Sequence, residues 1–183
     1  MAPAVDQDGS IVAALTLAEV VQVSASGAEQ WRTKIGISTA TVSPVILRDG
    51  TRLVLNALGE AWAISPNGSI RFRVDLGGFG RDPRVAPLPL ENSSVAIAAG
   101  PNILILEPDG SIRAQTRAEE TLVGSLIGTP NGILGTTDSG KVILWSPPLA
   151  PKTLGTFLGN VRDGAALADD QTLLAVVDRR RVV

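Results

Sequence analysis

Short apolar runs, each closed by a pair of turn-forming polar residues, follow one another along most of the chain. The pattern is clearest over residues 43–76. Ser43-Pro44-Val45-Ile46-Leu47 reads as a strand, Arg48-Asp49-Gly50 as a turn, and Thr51-Arg52-Leu53-Val54-Leu55-Asn56 as the returning strand. After Leu58-Gly59 comes Glu60-Ala61-Trp62-Ala63-Ile64. Ser65-Pro66-Asn67-Gly68 then turns the chain into Ser69-Ile70-Arg71-Phe72-Arg73-Val74. Four short strands joined by three tight turns predict one antiparallel sheet.

The unit recurs. Before it stand Ala4-Val5, Ser10-Ile11-Val12-Ala13-Ala14, Glu19-Val20-Val21-Gln22-Val23 and Glu29-Gln30-Trp31-Arg32, which sets Trp31 at the place of Phe72. A third unit has Ala86-Pro87-Leu88, Val95-Ala96-Ile97-Ala98-Ala99, Ile103-Leu104-Ile105-Leu106 and Ser111-Ile112-Arg113-Ala114. The fourth has Ser125-Leu126-Ile127, Gly132-Ile133-Leu134-Gly135-Thr136 and Lys141-Val142-Ile143-Leu144-Trp145. It leaves by a Pro-rich stretch over 147–151, and a last strand near Lys152-Thr153-Leu154 is weakly marked.

Two turn registers set the period. Asp8-Gly9, Asp49-Gly50, Asn92-Ser93, Asn131-Gly132 and Asp170-Gln171 lie 41, 43, 39 and 39 residues apart. Ser26-Gly27, Asn67-Gly68 and Asp109-Gly110 lie 41 and 42 apart. A period near forty built from short strands predicts an all-β fold, a β-propeller of four-stranded antiparallel blades. The blades fall at 1–36, 37–80, 81–118, 119–158 and 159–183. Residues 13–19 have helix propensity, but their place in the repeat predicts a hairpin. Residues 103–106, 142–145 and 173–177 are apolar without alternation, so both faces of those strands should be covered. The connections are too short for helical crossovers, and radially packed blades satisfy both observations.

The fifth unit starts at Ala165-Ala166-Leu167-Ala168, returns through Thr172-Leu173-Leu174-Ala175-Val176-Val177, and reaches Arg181-Val182-Val183 where a third strand should begin. The phase predicts about four and a half blades, a piece of a larger propeller. An unpaired half-blade is an open sheet edge through which copies of the chain would associate.

Composition narrows the chemistry. The 183 residues contain no Cys, His or Tyr, which removes disulfides, Cys/His zinc sites and Ser-His or Cys-His dyads. A net charge of −2 offers no pull toward nucleic acid. No apolar run approaches a membrane span, and the start of the chain lacks the pattern of a signal peptide. Arg far outnumbers Lys and Ala, Gly, Leu and Val dominate, the coding habit of a GC-rich bacterium.

The segment Gly59-Glu60-Ala61-Trp62-Ala63-Ile64-Ser65-Pro66-Asn67-Gly68-Ser69-Ile70-Arg71-Phe72-Arg73 resembles the pyrroloquinoline-quinone-like repeat. So do Ser26-Gly27-Ala28-Glu29-Gln30-Trp31-Arg32 and Glu107-Pro108-Asp109-Gly110-Ser111-Ile112-Arg113. The repeat occurs in quinoprotein dehydrogenases, in the outer-membrane assembly factor BamB and in other bacterial propellers. The resemblance implies an extracytoplasmic, periplasmic setting. It does not imply an activity, because one fold hosts many functions.

Several residues could be offered as sites. Trp31, Trp62 and Trp145 are candidate stacking platforms, but Trp31 and Trp62 stand at repeat positions where rings fill the space between blades. Asp6-Gln7-Asp8-Gly9-Ser10 looks like the start of a calcium loop, but it lacks the later ligands and reads as a hairpin turn. Gly77-Gly78-Phe79-Gly80-Arg81-Asp82 lacks the Lys and helix of a phosphate loop and reads as an interblade connection. In it Phe79 and Arg81, with Arg84, could face a partner. Arg179-Arg180-Arg181 is the one basic run and reads as a solvated turn. Asn67-Gly68-Ser69 and Asn92-Ser93-Ser94 match a glycosylation sequon at repeat turns. Glu119-Glu120 and Asp169-Asp170 are adjacent in sequence and need not converge.

No catalytic, cofactor-binding or metal-binding residue is assigned, and no cofactor is expected. The leading expectation is a non-enzymatic propeller scaffold presenting a surface to a protein or small ligand, with no nucleic acid and no membrane insertion. Two alternatives stay open. One is part of a quinone-dependent dehydrogenase whose catalytic residues lie outside this segment, and the other a sensor or interaction domain of a larger signalling protein.

Overall fold

The chain folds as a β-propeller, seen in a computed structural model that describes residues 1–77, 83–168, 172–177 and 181–182. The first blade comprises β1 (Ala4–Val5), β2 (Ile11–Leu15), β3 (Glu19–Val23) and β4 (Glu29–Lys34), and the second β5 (Val45–Ile46), β6 (Arg52–Leu55), β7 (Glu60–Ile64) and β8 (Ile70–Asp75). The third is β9 (Leu88–Pro89), β10 (Val95–Ala99), β11 (Asn102–Leu106) and β12 (Ile112–Arg117), and the fourth β13 (Leu122–Thr129), β14 (Gly132–Thr137), β15 (Lys141–Ser146) and β16 (Ala150–Thr156). A three-stranded sheet follows, of β17 (Val161–Leu167), β18 (Leu173–Val177) and β19 (Arg181–Val182). All five sheets are antiparallel with strands in chain order, and the first strands β1, β5, β9, β13 and β17 touch in succession.

Why the middle strands are apolar throughout is plain from where alternate residues go. In β6, Val54 enters the layer between blades one and two, whereas Leu53 and Leu55 enter the layer between blades two and three. β7 sends Trp62 and Ile64 one way, Ala61 and Ala63 the other. β10 and β11 repeat this: Val95, Ile97, Leu104 and Leu106 face blade two, while Ala96, Ala98, Ile103 and Ile105 face blade four. Each strand has two buried faces, so period-two alternation persists in space while vanishing from hydropathy. Each fully buried Leu or Ile contributes about 1.5–3 kcal/mol. The outer strands β4, β8 and β12 have one covered face and do alternate, with Trp31 and Thr33, Phe72 and Val74, and Ala114 and Thr116 turned inward.

The turns repeat one chemistry. In Asp8, Asp49, Asn67, Asn92 and Asp109 the side-chain Oδ1 accepts the backbone N–H two residues on. This local bond is why Asp and Asn favour such turns. Both sequon asparagines, Asn67 and Asn92, are thus turn residues. Residues 13–19 form the hairpin between β2 and β3, with Ala18 at φ 58.

Elsewhere the structure differs from the sequence reading. The strand read over 43–47 is regular only at Val45–Ile46, and Leu47 closes the turn, its N–H donating to Thr51 O and its carbonyl accepting from Gly50 N–H. Asn131-Gly132 does not share the Asx bond of its series: Pro130 and Asn131 make a tighter turn, in which Asn131 N–H bonds Thr129 Oγ1. The Pro-rich stretch is a hairpin, closed by Leu149 N–H to Ser146 O, that leads into β16. β16 is exposed along its whole length, so it carries no apolar signal. In β18, expected to be covered on both faces, Leu174 is 42% exposed, since no further sheet packs on it among the described residues.

Candidate functional site

Trp31, Phe72 and Ala114 occupy the same place in three successive outer strands, and what each meets decides where the protein is open. Trp31 crosses to blade two. Its Nε1 donates to Pro66 O at 2.9 Å, Thr33 Oγ1 donates to Gly68 O at 2.6 Å, and the ring covers Gly68, where a Cβ would lie 2.7 Å away. Phe72 covers Gly110 of blade three in the same way. At the third junction the ring is absent, replaced by Ala114, and blade four presents Pro147, Pro148 and Leu149 in place of a Gly turn.

Blade four supplies a ring from the opposite side. Trp145, 1% exposed, reaches toward blade three and joins a layer with Ala96, Ala98, Ile105 and Ala114. Its six-membered ring lies over Gly135, where an added Cβ would be 2.8 Å from Cζ3. Nε1 is buried without a hydrogen-bond partner. The other two tryptophans are satisfied: Trp31 by Pro66, and Trp62 by Glu60 Oε2 at 3.1 Å.

One ring in reverse does not fill the junction. A cavity of about 940 Å³ opens on the face that carries the first and third turns of the blades. Ile105, Ile133, Trp145 and Leu149 form its buried wall. Arg48, Glu91 and Arg113 stand exposed at its margin. Arg113 is engaged with Glu107 at 3.0 Å. Arg48 and Glu91 lie on neighbouring turns tied together by Asp49 N–H to Ser93 Oγ, 3.2 Å.

Other charged groups are bonded to one another. Glu119 and Glu120, read as mere sequence neighbours, converge on Lys141 Nζ at 3.2 and 2.7 Å. Glu120 also accepts from Thr137 Oγ1 at 2.8 Å and from Ser139 Oγ. Lys141, then Ser139 and Thr137, hold the Glu120 carboxyl down at about 2, and Lys141 is raised in return. A group so fixed as carboxylate is a poor proton carrier near neutrality. For Glu60, burial pushes upward, but bonds from Asn56, Arg73 and Trp62 outweigh it and leave the carboxyl lowered. Arg73 lies over the Trp62 ring, 5.3 Å from its centroid. Asp6, first in the calcium-like pentapeptide, instead pairs with buried Arg52 at 2.7 Å across blades one and two, and Arg52 Nε donates to Gln22.

Among the described residues no group of three or more Asp or Glu gathers as a metal site. Of the interblade segment, Gly77 and Arg84 are described, and Gly77 N–H bonds Asp75 Oδ1. Phe79 and Arg81 lie outside the described residues, as do Asp169, Asp170, Arg179 and Arg180.

The sequence reading did not find the cavity. A signal was there: the Gly turn series Gly27, Gly68, Gly110 has no fourth member, and the inward aromatic series breaks at Ala114.

Fold and cavity together define a β-propeller with an open interblade junction. No protein-family model matches the chain, and no curated protein sequence matches it. Solved structures do. BamB from Moraxella catarrhalis is similar with TM-score 0.73 and 17% identity, over 96% of this chain and 57% of its own. Virginiamycin B lyase from Staphylococcus aureus, solved with quinupristin, has TM-score 0.77 and 12% identity, over 99% of this chain and 67% of its own. Sqt1 from Saccharomyces cerevisiae has TM-score 0.76 and 12% identity, over 92% and 52%. At such identities the likeness is one of fold. The chain spans about half to two thirds of the length of these proteins.

Proposed function

We propose that this propeller is a non-catalytic binding module whose turn face presents the junction between blades three and four to a protein or small ligand. The observation that carries the reading is the cavity of about 940 Å³, apolar within and bordered by charged side chains. That combination suits recognition. The Glu119, Glu120 and Lys141 group and the Arg52–Asp6 pair are engaged with their own neighbours, which favours binding over acid–base chemistry. A propeller of similar fold has been solved with quinupristin, so such a frame can hold a small molecule. The resemblance of the repeats supports an extracytoplasmic setting.

The test uses indole and naphthalene as apolar probes in saturation-transfer NMR with the full chain and with Gly128→Leu. Gly128 lines the cavity, its backbone accepts any residue, and an added Cβ would meet only Leu88 at 3.7 Å. Probe signals seen with the full chain should be lost in the variant. Signals unchanged by Gly128→Leu, or no signal at all, would refute the binding face. Dye reduction on adding pyrroloquinoline quinone and calcium would refute the non-catalytic reading.

A further inference from the structure

We infer that blade one carries a separate docking site, centred on Gly27, for a β-strand of a partner protein that presents an aromatic side chain followed two positions later by Thr or Val. The site lies in a different blade from the cavity between blades three and four. Within the chain the same seat is filled twice. Trp31 covers Gly68 and Phe72 covers Gly110. The residue two positions on completes each contact: Thr33 Oγ1 donates to Gly68 O, and Val74 Cγ2 would lie 3.1 Å from a Cβ at Gly110.

The turn at Gly27 has the same build as the two filled seats. Gly27, Gly68 and Gly110 have φ +89, +87 and +89. Each donates its N–H to the carbonyl three residues back, on Ser24, Ser65 and Glu107, at 2.9 Å. Those three residues in turn donate to Ala28, Ser69 and Ser111 O at 2.8 Å. Yet nothing lies within 4 Å of a Cβ at Gly27. Ala25 O and Gly27 O, the counterparts of Pro66 O and Gly68 O, accept no hydrogen bond among the described residues.

The surface beside this empty seat continues the interblade chemistry. Val12, Ala14 and Val20 turn toward blade two, so Ile11, Ala13, Leu15 and Val23 face the other way. Ala13 and Val23 stand at the places of Val54 and Ile64, which face blade one beside Gly68. Ile11 is 38% exposed, and Ala13, Leu15 and Val23 are half-buried. Both filled seats hold a ring carried on the outer strand of an adjoining sheet, and that strand chemistry defines the occupant. The ring takes Gly27, the β-branched residue takes Gly27 O, and the remainder of the partner covers the apolar shelf.

The experiment adds a peptide copying residues 28–35, the strand that bears Trp31, to the full 15N-labelled chain and follows the amide resonances of Gly27 and Ala28. Gly68 and Gly110 are already covered, so the peptide should move the Gly27 and Ala28 signals saturably. The same peptide with Trp31→Ala should bind about tenfold more weakly or worse, the scale of a buried aromatic anchor. Gly27→Ala in the chain should weaken binding as much, because a Cβ there would meet the ring as one at Gly68 would, at 2.7 Å. The rest of its amide spectrum, unchanged, shows that the variant is folded. Gly27 and Ala28 signals that stay still would overturn the inference. So would equal binding of the Trp31→Ala peptide, binding undiminished in Gly27→Ala, or free indole moving the two signals as far as the peptide does.

Discussion

Trp31 packs against Gly68, thirty-seven residues further along the chain, and its indole nitrogen donates to Pro66 O. The contact ties blade one to blade two, and Phe72 on Gly110 repeats it between blades two and three. Gly68→Ala should therefore cost more than its backbone conformation explains. Gly68 and Gly27 have nearly the same φ, +87 and +89, but nothing lies within 4 Å of a Cβ at Gly27. Urea denaturation should show Gly27→Ala losing about 1 kcal/mol and Gly68→Ala about 3 kcal/mol. Equal losses would mean that the ring contact contributes little.

Arg52 is 4% exposed at its side chain and is held by Asp6, Gln22 and Gly50 O. Removing one partner leaves a buried guanidinium uncompensated. Asp6→Ala should destabilise by about 3 kcal/mol, whereas Arg52→Met, which removes the charge and keeps the volume, should stay within about 1 kcal/mol. Denaturant midpoints of the two variants give the comparison. If Arg52→Met is the worse of the two, the pair is a net source of stability.

Glu120 sets an acid limb. Its carboxyl is lowered from 4.5 to about 2 by Lys141, Ser139 and Thr137, so the contribution is complete above the ordinary range and is lost as the pH falls through about 2. Stability measured from pH 5 to pH 2 should fall less steeply in Glu120→Gln than in the unaltered chain. Identical slopes would show that the triad does not hold in solution.

The third junction should accept the solution used at the second. Ala114→Phe alone overfills a layer already occupied by Trp145 and should cost about 2 kcal/mol, and Trp145→Leu alone should cost about 3 kcal/mol. Leu is what blade three has at the matching position, Leu106. The double variant should lose at least about 1.5 kcal/mol less than the sum of the two, the size of coupling expected for side chains in contact. Strict additivity would show that the two rings do not compete for one space.

What could be read from the chain follows its local rules. Asp and Asn turns announce themselves because their side chains bond a backbone N–H two residues away, and the hairpin over 13–19 follows from the register they set. β16 was faint because an outer strand without a covered face has no reason to be apolar. The convergence of Glu119 and Glu120 depends on Lys141, some twenty residues away, and on a register that hydropathy does not encode. The cavity was hardest to foresee. It results from a missing ring at Ala114 answered incompletely by Trp145, a relation between two blades that neither shows alone.

The hand-over from Trp31 to Gly68 and from Phe72 to Gly110 always runs forward along the chain. During synthesis each ring emerges first and waits for its cover until the next blade's turn has left the ribosome, so assembly has a built-in direction. A nascent chain halted after β4 would carry Trp31 uncovered, a hydrophobic surface open to chaperones until the next thirty-four residues, through Gly68, arrive.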